Sequence, residues 1–374
     1  MTGRAAIRVH NAPRAVLAAG VLLGLTAPFL GHAPNRLLSG APVAAPHGLL
    51  VAGMAAVLIG LAVLPPRRLV QILAFSIACL GILLACFLAG QAADDLARHN
   101  PPASRTLLGA GFWSVVFCFG LAAVDAAQRL RAGVVATLGM AAIVPACVAG
   151  LAAAGRLDAL SLAQEAASHA DVFADALLRH LLLVGATLAL ALALGLPLGL
   201  AVQRRAAWRG PVFGVLGVIQ TLPSVALFGL LIAPLAAAGL SGIGIVPALV
   251  ALVLYALLPV VRAVVTGLDG VDTGVRDAAT GMGLSPRQRL AGVEIPLAAP
   301  ALLAGLRIVT VQTIGLAVIA ALIGAGGLGD FVFQGLGQYA VDLVLLGALP
   351  AIALALAADL LLRLAAARFQ VHRA

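Results

Sequence analysis

Long runs of apolar residues, separated by short segments that contain arginine, dominate this sequence. A transmembrane helix needs about 20 mainly apolar residues, and ten runs of roughly that length can be marked along the chain. Hydrophobic residues make up 63% of the chain and charged residues 10%, whereas soluble domains carry about 25% charged residues. This composition excludes a soluble globular domain and a disordered chain. The sequence therefore predicts an all-α integral membrane protein.

The ten predicted spans form two sets of five. The first set comprises residues 15–30, 48–64, 69–90, 107–124 and 134–154. The second set comprises residues 181–202, 212–236, 245–267, 299–323 and 342–362. The first run follows three arginines and so resembles a signal peptide, but no clear A-x-A cleavage site follows it. The sequence therefore favours a first span that is retained.

The arginines are distributed unevenly between alternate loops. With the N-terminus in the cytoplasm, sixteen lie in cytoplasmic segments: Arg4, Arg8, Arg14, Arg67, Arg68, Arg129, Arg131, Arg204, Arg205, Arg209, Arg276, Arg287, Arg289, Arg363, Arg368 and Arg373. Five lie in outer segments: Arg36, Arg98, Arg105, Arg156 and Arg179. Arg262 and Arg307 lie within spans, near cytoplasmic ends that their long side chains can reach. Because cytoplasmic loops carry the excess of basic residues, both termini are predicted to be cytoplasmic.

Residue types that are absent or isolated exclude several kinds of site. The chain contains no lysine, so it cannot form a P-loop, and an ATPase would have to be a separate subunit. The basic residues occur in short clusters between apolar runs, which argues against a nucleic-acid partner. All the cysteines lie inside apolar runs and are predicted to be packing residues: Cys79, Cys86, Cys118 and Cys147. Neither a metal site nor another cofactor is indicated.

The chain divides near residue 155, where a mixed polar stretch begins. Residues 1–155 are predicted to be a membrane extension of about five transmembrane helices. Residues 156–180 are predicted to be an outer connector, either an amphipathic helix on the membrane surface or a solvated linker. Residues 181–363 are predicted to form a five-helix core, and residues 364–374 a cytoplasmic tail.

The segment 268–300 is the longest predicted cytoplasmic loop. Asp272 or Thr273 can cap the start of a short helix, and Gly281 and Gly283 can end it. Ser285, followed by proline, is typical of the start of a second short helix. These helices would present a small and apolar face that can dock another protein, although an ordinary interfacial loop is the alternative. The face comprises Val275, Ala278, Ala279 and Met282.

This loop resembles the EAA loop of permease subunits of binding-protein-dependent ABC importers. In that pattern, E-A-A is followed by three residues and a glycine, then by nine residues and I-x-L-P. The matching positions here are Asp277, Ala278, Ala279, Gly283, Val293, Ile295 and Pro296. Aspartate replaces the usual glutamate, and valine and isoleucine replace isoleucine and leucine. The resemblance implies that a dimer of ATP-binding cassette subunits drives the permease through this loop.

The resemblance covers roughly residues 176–362, and three stretches make it similar to the osmoprotectant subfamily, which carries glycine betaine, choline and carnitine. They are QTLPS at 220–224, LYALLPVVR at 254–262 and GAGGLG at 324–329. The five spans before them resemble those of a long-form, YehY-like permease. The resemblance implies a MetI-like core in the cytoplasmic (inner) membrane, a second permease subunit, identical or related, and an extracytoplasmic substrate-binding protein.

Polar residues and glycines inside the core are candidates for the translocation pathway and its gate. Pro223 removes a backbone donor within a span, and non-helical backbone at membrane depth is tolerated only where it is buried or lines a cavity. Mid-span polar residues in the fourth core span either face the pathway or make interhelical hydrogen bonds. The predicted pathway residues are Gln220, Thr221, Pro223, Ser224, Gln312 and Thr313. The predicted gate or hinge residues are Gly324, Gly326, Gly327 and Gly329.

Three alternatives to an osmoprotectant permease stay open. An ion-coupled secondary transporter would be expected to carry intramembrane carboxylates, and the core offers only Asp359, which can pair with Arg363 four residues later. An ABC permease for another small solute, such as an amino acid, is a second alternative, and a structural or assembly membrane protein is a third. Aromatic residues make up only 4% of the chain, so a quaternary ammonium group is expected to be recognised mainly by an external binding protein.

Overall fold

The computed structural model describes residues 10–35, 38, 40–101 and 103–370. Arg4, Arg8, Arg36 and Arg373, used in the orientation argument, lie outside the described residues, as do residues 371–374 of the predicted tail. Among the described residues, seven helices are long and apolar enough to cross a membrane, and a bent helix pair adds an eighth candidate. The predicted all-α membrane class is therefore confirmed. The chain separates into two compact units, residues 1–168 and residues 169–374.

The described part of the N-terminal unit contains six helices and a small sheet. The helices are α1 (Ala12–Gly24), α2 (Gly48–Val63), α3 (Arg68–His99), α4 (Ala110–Leu130), α5 (Val134–Ala153) and α6 (Ser161–Ser168). The strand β1 (Leu30–Ala33) pairs antiparallel with both β2 (Ala41–Val43) and β3 (Arg105–Leu108). The sequence does not predict this sheet, because its strands have only three or four residues, and the ends of β1 and β3 fall within the predicted spans 15–30 and 107–124.

The first predicted span, residues 15–30, is wrong at its C-terminal end. The helix α1 ends at Gly24, and the last predicted residue of the span is already in β1. With 13 and 16 residues, α1 and α2 are about 20 and 24 Å long, which is less than the roughly 30 Å hydrocarbon core. The N-terminal unit therefore contains two apolar helices that are shorter than a full span.

A polar cluster lies inside this unit. Arg14 is part of α1 and 0% exposed, whereas the sequence predicts a cytoplasmic loop residue at this position. Its guanidinium donates to the Gln71 side chain of α3 and lies 3.6 Å from the Asp125 carboxylate of α4. The same carboxylate accepts a hydrogen bond from Asn11 at 2.8 Å and pairs with Arg129 at 2.8 Å. One carboxylate thus joins α1 and α4 and balances a buried guanidinium.

Removing this carboxylate should destabilise the protein strongly. We expect Asp125→Ala to lower the free energy of unfolding in detergent by about 3–5 kcal/mol, because it leaves the Arg14 charge buried without an anion. Arg129→Gln breaks a pair whose basic side chain is 40% exposed and should cost less than about 1 kcal/mol. Denaturant unfolding of both variants provides the measurement, and equal losses would contradict the prediction.

The C-terminal unit is built around one buried helix. Its described helices are α7 (Ala170–Arg204), α8 (Arg209–Thr221), α9 (Ser224–Ala237), α10 (Ile245–Asp269), α11 (Thr273–Gly281), α12 (Pro286–Arg289), α13 (Ile295–Ile319), α14 (Gly329–Gly337) and α15 (Val341–Gln370). The central α10 packs against α7, α8, α9 and α13. Gly195 and Gly199 of α7 face Val260 and Val264 of α10, where added β-carbons would lie 2.6 and 2.7 Å from valine atoms. Small residues on α7 therefore allow the close approach that membrane helices need.

Two predicted segments of this unit have helical detail that the sequence does not show. The predicted span 212–236 consists of two helices, α8 and α9, bent by 106° around Leu222 and Pro223. Proline lacks a backbone donor and disfavours helical backbone at the residue before it, so the break falls at this position. Residues 170–180, predicted as part of the connector, are the first turns of α7. That helix extends past its apolar part into a polar stretch.

Candidate functional site

The loop between α10 and α13 begins with a helix that is capped at both ends. The Asp272 carboxylate accepts hydrogen bonds from the backbone N–H groups of Gly274 at 2.7 Å and Val275 at 3.3 Å, so Asp272 caps α11. At the other end, Gly283 has φ +80° and donates its N–H to the Thr280 carbonyl at 2.9 Å. The next residue donates to the Ala279 carbonyl at 3.3 Å, which completes a Schellman motif. Glycine is favoured at position 283 because of its backbone conformation.

Side chains fix this helix to the membrane helices on both sides. Arg276 of α11 donates to the backbone carbonyl of Leu268 at the end of α10. Arg289 of α12 pairs with Glu294 at 2.8 Å and donates to the Thr280 hydroxyl at 3.0 Å. Because Glu294 immediately precedes α13, α11 is tied to the ends of both α10 and α13.

The second half of the loop runs without a break into α13. Ser285 and Gln288 form a capping box at the start of α12, as the sequence predicts for Ser285. A π-helical segment, Leu290–Glu294, follows α12 and contains the predicted coupling residue Val293, which is half-buried. Ile295 and Pro296, also predicted coupling residues, are the first two residues of α13 and are exposed. The predicted coupling set therefore extends from the loop into a core helix.

The structure divides the predicted docking face of α11. Asp277 and Ala278 are exposed, whereas Ala279 is 1% exposed and packs inside the chain. Val275 is 39% exposed and Met282 73% exposed. Val275, Ala278 and Met282 are three and four residues apart, so they share one helix face. We call these three residues the α11 stripe. It is a small, exposed apolar surface on a firmly held helix.

Four predicted pathway residues lie at the bend between α8 and α9. The Gln220 side chain donates to the backbone carbonyl of Tyr255 in α10 at 2.6 Å, and the Tyr255 hydroxyl donates to the Leu222 carbonyl at 2.5 Å. Thr221 and Pro223 are exposed, and Ser224, the first residue of α9, is half-buried. The sequence analysis did not single out Tyr255, although it is the one tyrosine of the stretch at 254–262. The bend is thus fastened to α10 by two reciprocal hydrogen bonds.

The other two predicted pathway residues lie in α13. Thr313 is buried among neighbouring groups, and Gln312 is half-buried. In the 3-10 turn Ala320–Ile323 that follows α13, the Ile323 carbonyl accepts a hydrogen bond from the N–H of Gly244, the residue that precedes α10, at 2.6 Å. The turn after α13 and the start of α10 are therefore joined.

The predicted gate glycines form a tight turn between α13 and α14. Gly324, Gly326 and Gly327 have φ values of +79°, +78° and +95°, which residues with side chains rarely adopt. A β-carbon on Gly327 would lie 3.3 Å from the β-carbon of His180 in α7. One on Gly329 would lie 2.0 Å from the Val318 carbonyl oxygen of α13. The turn needs glycines both for backbone conformation and for close packing.

A charged group follows this turn. Asp330, in the first turn of α14, lies near the Gly326 position, as does the Arg179 side chain. Burial raises the pKa of the Asp330 carboxyl, and the charge of Arg179 opposes that shift.

The core carboxylate considered for ion coupling is paired. Asp359 of α15 accepts from Arg363 at 2.7 Å, which confirms the predicted i, i+4 pair, and from Arg307 of α13 at 2.7 Å. A carboxylate held by two guanidinium groups is poorly suited to bind and release a proton or sodium ion. Among the described residues there is also no group of three or more His, Cys, Asp or Glu side chains that could hold a metal ion.

Comparisons with known proteins match both halves of the chain. Residues 11–163 match the family model described as ABC transporter permease YehY, N-terminal domain, and residues 191–371 match the model described as binding-protein-dependent transport system inner membrane component. The osmoprotectant import permease protein OsmW of Salmonella typhimurium is 41% identical over 194 residues, which are 52% of this chain and 90% of that protein. The choline transport system permease protein OpuBB of Bacillus subtilis is 40% identical over 167 residues, which are 45% of this chain and 74% of that protein. The glycine betaine/carnitine/choline transport system permease protein OpuCB of Bacillus subtilis is 38% identical over 183 residues, which are 49% of this chain and 82% of that protein.

Proposed function

The chain belongs to the family of binding-protein-dependent transport system inner membrane components, and we propose on this premise that it carries osmoprotectant quaternary amines across the cytoplasmic membrane. The relatives named for choline, glycine betaine and carnitine transport support this substrate class. The chain is a permease subunit of an ABC transporter and not itself an enzyme. The observation that carries the proposal is the exposed α11 stripe, on a loop that side chains tie to both α10 and α13.

The α11 stripe is the proposed contact with the ATPase. Exposed apolar side chains at a membrane protein's aqueous face mark interaction surfaces, and small residues let a helix enter a groove of a partner. Because Arg276 and Arg289 tie α11 to α10 and α13, a displacement of α11 displaces these two core helices. We assign the partner as a dimer of ATP-binding cassette subunits. A second permease subunit, identical or related, and an extracytoplasmic substrate-binding protein complete the proposed importer.

The same geometry suggests how the movement reaches the pathway. The helix α10 is fastened to the bend between α8 and α9 through Tyr255, and to the turn after α13 through Gly244, the residue before α10. A shift of α10 therefore acts on the bend and on the glycine turn together. We propose that the bend residues line the pathway, with Gln312 and Thr313 facing it from α13, and that the glycine turn is a hinge or gate.

The proposed orientation places both termini and the α11 loop in the cytoplasm. The excess of arginines in alternate loops supports it. In a variant whose four cysteines are replaced by alanine, single cysteines at Ala103 and Ser168 should react with an impermeant thiol reagent added outside intact cells. A cysteine at Ala206 should react only after the membrane is opened. Reaction of the Ala206 position from outside would overturn this orientation.

Uptake of labelled glycine betaine tests the function. Proteoliposomes that contain the purified chain with its ATPase should accumulate glycine betaine when ATP is inside and the binding protein outside. Unlabelled choline should compete and an amino acid should not. Accumulation that an ionophore abolishes while ATP remains would support an ion-coupled transporter instead. Accumulation of an amino acid alone would overturn the substrate class but not the permease.

A further inference from the structure

We propose that the N-terminal unit binds a small zwitterion that carries both a carboxylate and a quaternary ammonium group, in a pocket at the C-terminal end of α3. The choice of ligand rests on the proposed function, and the side of the membrane rests on the proposed orientation. The pocket itself is a feature of the N-terminal unit alone.

The pocket is formed mainly by one face of a long helix. With 32 residues, α3 is about 48 Å long, so it extends well beyond the hydrocarbon core of a bilayer. The cavity has a volume of about 150 Å³ and is lined by Phe87, Gln91, Asp94, Asp95, Arg98 and Arg156. The five residues from α3 recur at intervals of one to four positions on one face. Pockets for drug-sized ligands have volumes of about 300–1,000 Å³, so this smaller cavity suits only a small solute.

The charged side chains of the pocket are not paired with one another: Asp95, Arg98 and Arg156 are exposed, and Asp94 is half-buried. Two of its residues are acidic and two are basic, and within the described part of the chain none of these four side chains has an ion pair or a hydrogen bond. Asp94 and Arg98 are four residues apart, a spacing that favours pairing on a helix, and they stay unpaired. Unpaired charges of both signs around one cavity are complementary to a ligand that carries both signs.

An aromatic ring forms one wall. The guanidinium carbon of Arg156 lies 5.1 Å from the centroid of the Phe87 ring, so the ring already faces a cation. The backbone of Arg156 lies against α3, because a β-carbon on Gly90 would be only 2.0 Å from its carbonyl oxygen. Packing at Gly90 therefore fixes the position of Arg156 beside the pocket.

Each end of the ligand has a matching set of groups. A carboxylate accepts charge-assisted hydrogen bonds from guanidinium groups, which assigns it to Arg98 and Arg156. A quaternary ammonium group has no N–H to donate, so it binds through charge, which assigns it to Asp94 and Asp95. The Phe87 ring is excluded, because the Arg156 guanidinium already occupies its face. In the proposed orientation this end of α3 is outside the cell. The N-terminal unit would then hold the solute on the side from which it is imported.

Titration calorimetry on the purified full-length chain in detergent tests the pocket without the binding protein. Glycine betaine should bind at least about tenfold more tightly than choline, which lacks the carboxylate, or acetate, which lacks the cation. Arg98→Gln and Asp94→Asn should each weaken glycine betaine binding by about tenfold or more. The matched controls Arg67→Gln and Asp171→Asn change exposed charges outside the pocket and should leave binding unchanged. Thermal melting would check that every variant is folded.

Three results would overturn the pocket: no binding at millimolar glycine betaine, equal affinity for choline, or binding that the two pocket variants leave intact. Uptake in proteoliposomes with the binding protein separates this proposal from the proposed function. Normal uptake without binding to the isolated chain overturns the pocket alone. Discriminating binding without any osmoprotectant uptake overturns the transport function and leaves the pocket standing.

Discussion

Replacing Ala278 by arginine should abolish transport while the chain still folds and reaches the membrane. Ala278 is the middle residue of the α11 stripe and is exposed, so a long side chain meets no atom of its own chain's core. If α11 sits in a groove of the partner, the arginine side chain would place an unpaired charge and excess volume inside that groove. A disruption of the size of a hot-spot residue, about 2 kcal/mol or more, corresponds to at least about a thirtyfold loss of ATPase binding.

The measurements are uptake of labelled glycine betaine, abundance in the membrane and co-purification of the ATPase. Ala206→Arg is the matched control, since it places the same exposed change in another predicted cytoplasmic segment. Asp277→Glu should be mild, because it restores the residue that is usual in the EAA pattern. Normal uptake by Ala278→Arg at normal abundance would show that the α11 stripe is not the coupling surface.

Gly283→Val is a second way to disturb the same loop, with a different cause. Position 283 has φ +80°, a conformation that is strained for any β-branched residue, although there is open space around it. The Schellman motif should therefore be lost and the stripe displaced. We expect uptake to fall strongly without loss of membrane insertion, and the ATPase to bind less tightly. If uptake and ATPase binding are both normal, coupling does not require the Schellman motif at the end of α11.

The sequence predicts where the short helices of the loop begin and end, but not which side of α11 is exposed to solvent. Caps and glycine turns involve neighbouring residues, so Asp272, Ser285 and Gly283 indicated where the two short helices begin and end. Ala278 and Ala279 are chemically identical, but α11, held by Arg276 and Arg289, leaves Ala278 exposed and buries Ala279. Ala279→Arg would therefore test packing inside the chain rather than docking.

The same difference between local and long-range interactions explains which other parts of the fold the sequence predicts. Ten apolar segments were recognised because bilayer thickness sets the length of an apolar run. Pro223 marks the break at the bend, but the hydrogen bond that the Tyr255 hydroxyl donates to Leu222 comes from a residue more than 30 positions away in the chain. The burial of Arg14 depends on Gln71, 57 residues away, and on Asp125 in a third helix. Partners that are distant in the sequence leave no local pattern.

The second large effect is expected at Gly329, where a single methyl group should disrupt the turn between α13 and α14. A β-carbon there would lie 2.0 Å from the Val318 carbonyl oxygen and 2.7 Å from the Ala321 β-carbon. The first of these atoms belongs to the backbone, so the helix ends themselves must move apart. The neighbouring helix would also be displaced, because Gly347 of α15 packs closely against the same turn: a β-carbon on Gly347 would lie 2.4 Å from the Leu328 carbonyl oxygen.

We expect Gly329→Ala to cost about 3 kcal/mol of stability, at the upper end of the usual range for overpacking, and to abolish uptake. Gly315→Ala is the control: it lies inside α13 with no atom within 4 Å of the added carbon, and should be neutral or stabilise by up to about 1 kcal/mol. Thermal unfolding in detergent and glycine betaine uptake measure both effects. If Gly329→Ala keeps its stability but loses uptake, the turn moves during transport. If it keeps both, the close packing at Gly329 is dispensable and the glycine turn loses its proposed role as a gate.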